Sequence, residues 1–219
     1  MSVTTVLLAD DHPVVRQGLR ALLEAEPDID VIGEAADGLQ AVRAVQRLKP
    51  HVLVADVQMP GLNGLEVARE VTQRRPDTRV VILSMHDRAA YVDQALRYGA
   101  SGYVLKDATH SELVRAIREV ARGRQYLSGS LPESAAGDNA RQMRETTAAD
   151  RHDLLTTRER AVLQLTAEGH TAAEIGAKLF ISPRTVESHR MNLSQKLGLR
   201  TLSDLIRYAI RRGIVNLDT

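Results

Sequence analysis

The chain has 219 residues, of which 43% are hydrophobic and 26% charged, with a formal net charge of +1 and no cysteine. This composition permits a packed core and excludes a polycation, disulfide bonds, thiolate metal sites and a cysteine nucleophile. Because neither a secretory signal nor a run of ~18 apolar residues is present, we expect a soluble cytoplasmic protein with no membrane partner.

Apolar runs alternate with stretches of helical hydrophobic spacing throughout residues 1–125, a pattern typical of βαβ units around a parallel sheet. The predicted strands are 5–9, 30–35, 52–55, 79–84 and 102–105. The predicted helices are 13–25, 38–48, 64–75, 89–98 and 109–122. Pro13 suits the first turn of a helix, and Asp37 and Asn63, each followed by glycine, suit helix caps.

The alternation stops at residue 126, and residues 126–153 are predicted to form a flexible linker because much of the segment is small and polar. A short helix at 139–147 is only weakly indicated. Residues 154–219 show helical patterns alone, at 157–168, 171–179, 182–197 and 201–212. This part has 10 basic and 6 acidic side chains, whereas residues 1–125 have a net charge of −1. A nucleic-acid contact is therefore expected in the C-terminal part.

Carboxylates follow two of the predicted strands. Asp56 ends one apolar run just before a Pro-Gly turn, and Asp10 and Asp11 follow another. Because open α/β sheets bind ligands at the carboxyl ends of their strands, these acids should lie together and bind Mg²⁺. Asp56 could then attack a phosphoryl group and form an acyl phosphate. Ser84 and Lys106, at the ends of two further strands, would supply a hydroxyl and an ammonium.

These motifs resemble the receiver domain of bacterial response regulators. They are Leu-Ala-Asp-Asp-His at 8–12, Asp-Val-Gln-Met-Pro-Gly-Leu-Asn-Gly at 56–64, Leu-Ser at 83–84 and Gly-Tyr-Val-Leu-Lys at 102–106. The resemblance implies a flavodoxin-like, five-stranded parallel sheet of order 2-1-3-4-5. It also implies a phosphoacceptor, Asp56, and a Mg²⁺ site made by Asp56, Asp11, Asp10 through water, and the backbone carbonyl of Gln58. Lys106 and Ser84 would contact the phosphoryl group, and Tyr103 would be an aromatic switch that turns inward with Ser84.

Two other readings of this part have specific requirements. A haloacid-dehalogenase-type phosphatase would need a second aspartate where Gln58 stands, and a flavodoxin would need a phosphate-binding loop where Asp10 and Asp11 stand.

Gln58 and His86 lie two residues after Asp56 and Ser84. We expect them to flank the phosphoryl group and to set its lifetime by orienting or excluding water.

Residues 171–189 have a helix-turn-helix pattern, in which Ser182 can cap the second helix and Pro183 fits its first position. A small core can be formed by Ile175, Leu179, Val186, Leu193 and Leu197. A helical dimerisation bundle would explain the apolar spacing but not the local charge or the Ser-Pro start. Residues 155–199 resemble the LuxR-type helix-turn-helix, which, joined to a receiver, marks the NarL/FixJ family of response regulators.

This second resemblance implies that helix 183–197 enters the major groove of DNA. Its outward face would present Glu187, Ser188, Met191, Asn192 and Gln195. The best candidates for phosphate contacts are Arg184, Thr185, Arg190 and Lys196. Glu187 stands where the family often has lysine, so no base preference is carried over.

We therefore predict a DNA-binding transcription regulator, not an enzyme, that a sensor histidine kinase activates by phosphorylating Asp56. The expected partners are promoter DNA, a second copy of the chain when it is phosphorylated or DNA-bound, and RNA polymerase as a further candidate. Two alternatives stay open at this point. One is a DNA binder that does not depend on phosphorylation, and the other is a phosphatase that uses Asp56 covalently.

Overall fold

The computed structural model describes residues 3–87, 89–129 and 151–215, apart from the side chains of Ala90 and Asp153. The helix predicted at 139–147 lies outside the described residues. The chain divides into two compact units, Met1–Glu145 and Thr146–Thr219, and each is described by itself. Within the described residues, every helix is too short or too polar to span a membrane.

The first unit is built on a parallel sheet of order β2-β1-β3-β4-β5-β6. Its strands are β1 Thr4–Ala9, β2 Ile29–Ala35, β3 Val52–Asp56, β4 Arg79–Ser84, β5 Gly102–Leu105 and β6 Tyr126–Leu127. The predicted strand order 2-1-3-4-5 is confirmed. Because the strands are parallel, their carboxyl ends share one edge, and that edge contains Asp56 and Ser84.

Helices cover both faces of this sheet. They are α1 Pro13–Glu24, α2 Gly38–Leu48, α3 Gly64–Arg74, α4 Ala89–Arg97 and α5 His110–Ala121. Successive strand residues point to opposite faces, so Leu53 joins the core under α2, α3 and α4, whereas Val54 joins the core under α1 and α5. The predicted caps are confirmed, because Asp37 accepts a hydrogen bond from the Gln40 amide and Asn63 from the Glu66 amide.

The sixth strand was not predicted, since the sequence indicated five strands and a linker from residue 126. The Tyr126 amide donates to the Ser101 carbonyl, and the Ser128 amide donates to the Tyr103 carbonyl, both over 3.0 Å. The buried Ser128 hydroxyl accepts a hydrogen bond from the Leu105 amide over 3.3 Å. A two-residue strand shows no alternation in the sequence, so only its pairing with β5 reveals it.

The second unit contains a 3-10 turn, Arg151–Leu154, followed by α6 Thr157–Ala167, α7 Ala172–Leu179, α8 Pro183–Leu197 and α9 Leu202–Arg211. All five predicted core residues, from Ile175 to Leu197, are buried. The 3-10 turn overlaps the end of the predicted linker and is fixed by His152, which is fully buried with its Nδ1 3.1 Å from the Tyr208 hydroxyl.

The turn between α7 and α8 is tight and locally determined. Phe180 ends α7 in the left-handed region, with φ of 57°. Gly176 allows the turn to approach α7, since an added Cβ there would lie 2.7 Å from the Ile181 carbonyl oxygen. The predicted start of α8 is confirmed, because Ser182 Oγ accepts from the Thr185 amide over 3.1 Å and Pro183 occupies the first turn.

Candidate phosphoacceptor site and nucleic-acid interface

Asp56 and Asp10 face one ammonium group at the carboxyl edge of the sheet. Both residues are almost fully buried, with 3% and 1% of their surface exposed. Lys106 Nζ lies 2.8 Å from Asp56 Oδ2 and 3.0 Å from Asp10 Oδ2. The structure therefore brings together three of the predicted site residues from three different strand ends.

The pKa values of Asp56 and Lys106 depend on the burial of both side chains and on the contact between them. Burial raises the pKa of the Asp56 carboxyl, although the hydrogen bond and charge of Lys106 act in the opposite direction. For Lys106, burial lowers the pKa, but its bonds to Asp56 and Asp10 outweigh this effect and leave the pKa raised. Lys106 therefore stays charged at neutral pH and offers a cation to an incoming anion.

Asp11 completes an acidic group suited to a hard divalent cation. Ligand atoms from Asp10, Asp11, His12 and Asp56 all lie within 4.8 Å of one another. Asp11 Oδ1 is buried, and His12 Nδ1 lies 2.8 Å from it. Carboxylate oxygens are the ligands that Mg²⁺ prefers, and a cation would satisfy this buried oxygen. The three carboxylates of this set therefore fit Mg²⁺.

The loop after β3 keeps the Asp56 backbone close to the start of α3. The Gln58 amide donates to the Asp56 carboxylate and lowers its pKa slightly against the effect of burial, while the Gln58 side chain is exposed. Gly64 begins α3 so close to β3 that an added Cβ would lie 2.1 Å from the Asp56 carbonyl oxygen. This loop therefore requires a residue without a side chain at position 64.

Ser84, His86 and Tyr103 form one hydrogen-bonded group beside the acids. Ser84 Oγ accepts from the His86 amide over 3.0 Å, and the Tyr103 hydroxyl donates to the His86 carbonyl over 2.8 Å. Tyr103 is fully buried, and burial raises its pKa to about 12, against the effect of a hydrogen bond with Ser84. The hydroxyl therefore stays protonated and can act as a donor.

The His86 imidazole has a neighbour that the sequence did not reveal. Its ring stacks on the Tyr91 ring of α4, with the centroids 4.6 Å apart and the planes 14° apart. His86 thus connects the loop after β4 to α4. Its predicted effect on phosphoryl lifetime remains a prediction.

In the second unit, α8 presents a polar, exposed face. The exposed predicted residues are Arg184, Thr185, Glu187, Ser188, Met191, Asn192 and Gln195. Ser188 directs its hydroxyl to the Arg184 carbonyl within the helix, at 3.1 Å. Met191 is 67% exposed.

Two cations that the sequence assigned to phosphate contacts are bonded within the unit. The Arg190 guanidinium donates to Thr166 Oγ1 and to the His170 carbonyl, each at 3.0 Å. Lys196 Nζ lies 2.7 Å from a carboxylate oxygen of Glu159. These bonds hold α8 against α6 and the loop that follows it, a role that spacing within α8 could not indicate.

Arg190 also pairs with Glu187, at 2.9 Å. This pairing offsets part of the negative charge of Glu187. The pair was not predicted, although a spacing of three residues on a helix is a signal for such an ion pair.

Comparison with known proteins agrees with this geometry. The response regulator receiver domain matches residues 6–118, and the LuxR family of bacterial regulatory proteins matches residues 153–209. The chain is 37% identical over 213 residues to the oxygen regulatory protein NreC of Staphylococcus aureus, covering 96% of this chain and 98% of NreC.

Two solved structures are also similar. The receiver domain of a NarL response regulator from Mycobacterium tuberculosis is 40% identical, with a TM-score of 0.55, and covers 57% of this chain and 100% of that chain. A complex of the response regulator RcsB with DNA is 28% identical, with a TM-score of 0.54, and covers 94% of this chain and 98% of that chain.

The chain therefore belongs to the two-component response regulators that join a receiver domain to a LuxR-type DNA-binding domain. Within this class it is of the NarL and NreC type. Membership implies a histidine kinase as a partner and DNA as a ligand.

Proposed function

We propose that a sensor histidine kinase phosphorylates Asp56 and that this modification controls DNA binding by α8. The observation that supports it most directly is the position of Asp56, buried at a strand end with Lys106 at 2.8 Å and two further aspartates beside it. The receiver would extend to Ser128, because β6 pairs with β5, and the DNA-binding domain would begin at the 3-10 turn of Arg151–Leu154.

The chemistry follows from the arrangement of these side chains. An Asp56 carboxylate oxygen attacks the phosphorus of a phosphohistidine, the P–N bond breaks, and the imidazole leaves with its electron pair. Mg²⁺, held by Asp10, Asp11, Asp56 and the Gln58 carbonyl, would offset the negative charge that gathers there. Lys106 would exchange its contact with Asp56 for one with a phosphoryl oxygen, and Ser84 would donate its hydroxyl to another.

The response would start at the hydrogen bonds of Ser84. When its hydroxyl turns toward the phosphoryl group, its bond from the His86 amide is lost, and the loop that Tyr103 also holds is free to shift. This change would alter the relative populations of two arrangements of the receiver surface at α4. As a result, α8 would become able to bind promoter DNA.

A dimer is the proposed DNA-bound form, and α9 supports it. Leu202 is 60% exposed, and Ile206 and Ile210 follow it at intervals of four residues with partly exposed side chains. Together they make an apolar stripe along one face of α9. RNA polymerase is proposed as a further partner on promoter DNA.

The test is phosphorylation of the full chain by a small acyl phosphate with Mg²⁺, followed by intact mass. One stable phosphoryl addition that is lost in Asp56→Asn and kept in Asp107→Asn, an exposed neighbour of Lys106, is expected. Repeated turnover of small phosphomonoesters would instead favour a phosphatase. No addition to the wild type would contradict the proposal.

A further inference from the structure

His12 stands at the rim of the acidic pocket and directs a ring nitrogen into it. His12 Nδ1 lies 2.8 Å from Asp11 Oδ1 and 3.4 Å from Asp10 Oδ1. The His12 amide donates to the same Asp10 oxygen over 2.7 Å, which fixes the backbone of this residue against the pocket. The imidazole is therefore one of four groups with ligand atoms within 4.8 Å of one another.

The spacing of these atoms suits ligands of one small cation. Two ligands at ~2.1 Å from an ion, at right angles or at the tetrahedral angle, lie roughly 3.0–3.4 Å apart. The distances from His12 Nδ1 to the two aspartates are close to this interval. In addition, Asp11 Oδ1 is a buried oxygen whose neighbour at 2.8 Å is His12 Nδ1, and in the tautomer with Nδ1 unprotonated these two atoms can bind the same ion.

The types of ligand atom determine which ions the pocket binds. Mg²⁺ prefers oxygen ligands, and an imidazole adds little to its binding. Zn²⁺, Co²⁺ and Ni²⁺ bind imidazole nitrogen well and accept carboxylates beside it. A pocket of three aspartates and one histidine can therefore hold ions of both kinds.

We propose that His12 Nδ1 is an additional ligand of the pocket and gives it affinity for imidazole-binding divalent ions of the Zn²⁺, Co²⁺ and Ni²⁺ class, which compete with Mg²⁺. The inference rests on the proposed function in one respect, because both ions use the carboxylates of the phosphoacceptor site. An ion held by His12 occupies the place of Mg²⁺ beside Asp56, so the concentration of such ions would affect phosphorylation.

The experiment measures binding of Zn²⁺ and Mg²⁺ to the full chain, by chelator competition and by calorimetry. His12→Asn removes the imidazole, and His170→Asn is the matched control because His170 also has a carboxylate partner, Glu168, at 3.7 Å. We expect His12→Asn to weaken Zn²⁺ binding about tenfold or more. The same variant should leave Mg²⁺ affinity within about twofold, because Mg²⁺ uses the oxygen ligands.

A spectroscopic readout identifies the ligand directly. Cu²⁺ bound to the wild type is expected to show nitrogen hyperfine coupling that excess Mg²⁺ removes, and that His12→Asn lacks but His170→Asn keeps. Unchanged Zn²⁺ affinity and unchanged coupling in His12→Asn would overturn the proposal and leave His12 as a hydrogen-bonding neighbour of Asp11. Normal Mg²⁺-dependent phosphorylation in that outcome would leave the proposed function standing, whereas absent phosphorylation would contradict that function separately.

Discussion

The Tyr103 hydroxyl donates a hydrogen bond to the backbone carbonyl of His86 over 2.8 Å, and this bond joins the centre of β5 to the loop after β4. The same loop residue donates its amide to Ser84, which the proposed mechanism requires to move. The Tyr103 hydroxyl, the loop and the phosphoryl-contacting serine therefore form one connected unit.

Tyr103→Phe tests this connection, because it removes one hydroxyl and keeps the buried ring. We expect a loss of about 1 kcal/mol in the free energy of unfolding and faster hydrogen exchange at the loop amides of residues 85–87. Denaturant unfolding and exchange mass spectrometry measure the two effects. Unchanged exchange in this loop would show that the bond does not restrain it.

Gly64→Ala should disturb the phosphoacceptor loop, because the new Cβ would lie 2.1 Å from the Asp56 carbonyl oxygen. We expect a loss of about 1–3 kcal/mol in stability and slower phosphorylation of Asp56. Gly18→Ala is the matched control, since Gly18 lies within α1 with nothing within 4 Å of an added Cβ. That change should stabilise the chain by about 0.5–1 kcal/mol. Equal effects of the two substitutions would contradict the close approach.

Ser128→Ala should weaken the attachment of β6, because the Leu105 amide loses the hydroxyl that accepts its hydrogen bond. The expected loss is about 1–3 kcal/mol, the usual cost of an unsatisfied buried polar group. Ser111→Ala serves as the control, since Ser111 is exposed. Urea unfolding of the wild type and of both variants measures the difference in stability. An unchanged unfolding midpoint for Ser128→Ala would contradict a stabilising role for this hydrogen bond.

Arg184 and Lys196, two of the cations of α8, should separate into a DNA contact and a structural contact. Arg184→Ala is expected to weaken binding to all DNA sequences alike and to lower the salt-dependence slope by about 1. Lys196→Met breaks the pair with Glu159, so its main effect should be a loss of about 1–3 kcal/mol in the stability of the second unit. DNA titrations at several salt concentrations, together with thermal unfolding, distinguish them. A salt slope that falls equally in Lys196→Met would restore Lys196 as a phosphate contact.

The sequence was sufficient for features that local patterns determine. Asp56, Ser84 and Lys106 each follow an apolar run, and the parallel sheet brings the ends of such runs to one edge. Ser182 and Pro183 start α8 through contacts within a few residues, so the helix-turn-helix was also predicted correctly.

Features that depend on residues far apart in the chain could not be predicted from local sequence patterns. Lys196 lies at the position expected for a phosphate contact, but Glu159, 37 residues earlier, binds it in the fold. Strand β6 pairs with β5, and the Ser128 hydroxyl accepts from the Leu105 amide; neither contact can be inferred from the composition of residues 126–153. The stacking of His86 on Tyr91 likewise depends on where α4 lies relative to the loop.

The central claim is that the chemical state of Asp56 controls DNA binding, and fluorescence anisotropy with a DNA site selected from random sequences measures it most directly. The full chain is compared with and without phosphorylation, beside Asp56→Asn under both conditions, and its oligomeric state is determined in parallel. We expect tighter binding and dimer formation on phosphorylation of the wild type, with no response from Asp56→Asn. Equal affinity and an unchanged oligomeric state in the phosphorylated wild type would contradict the claim.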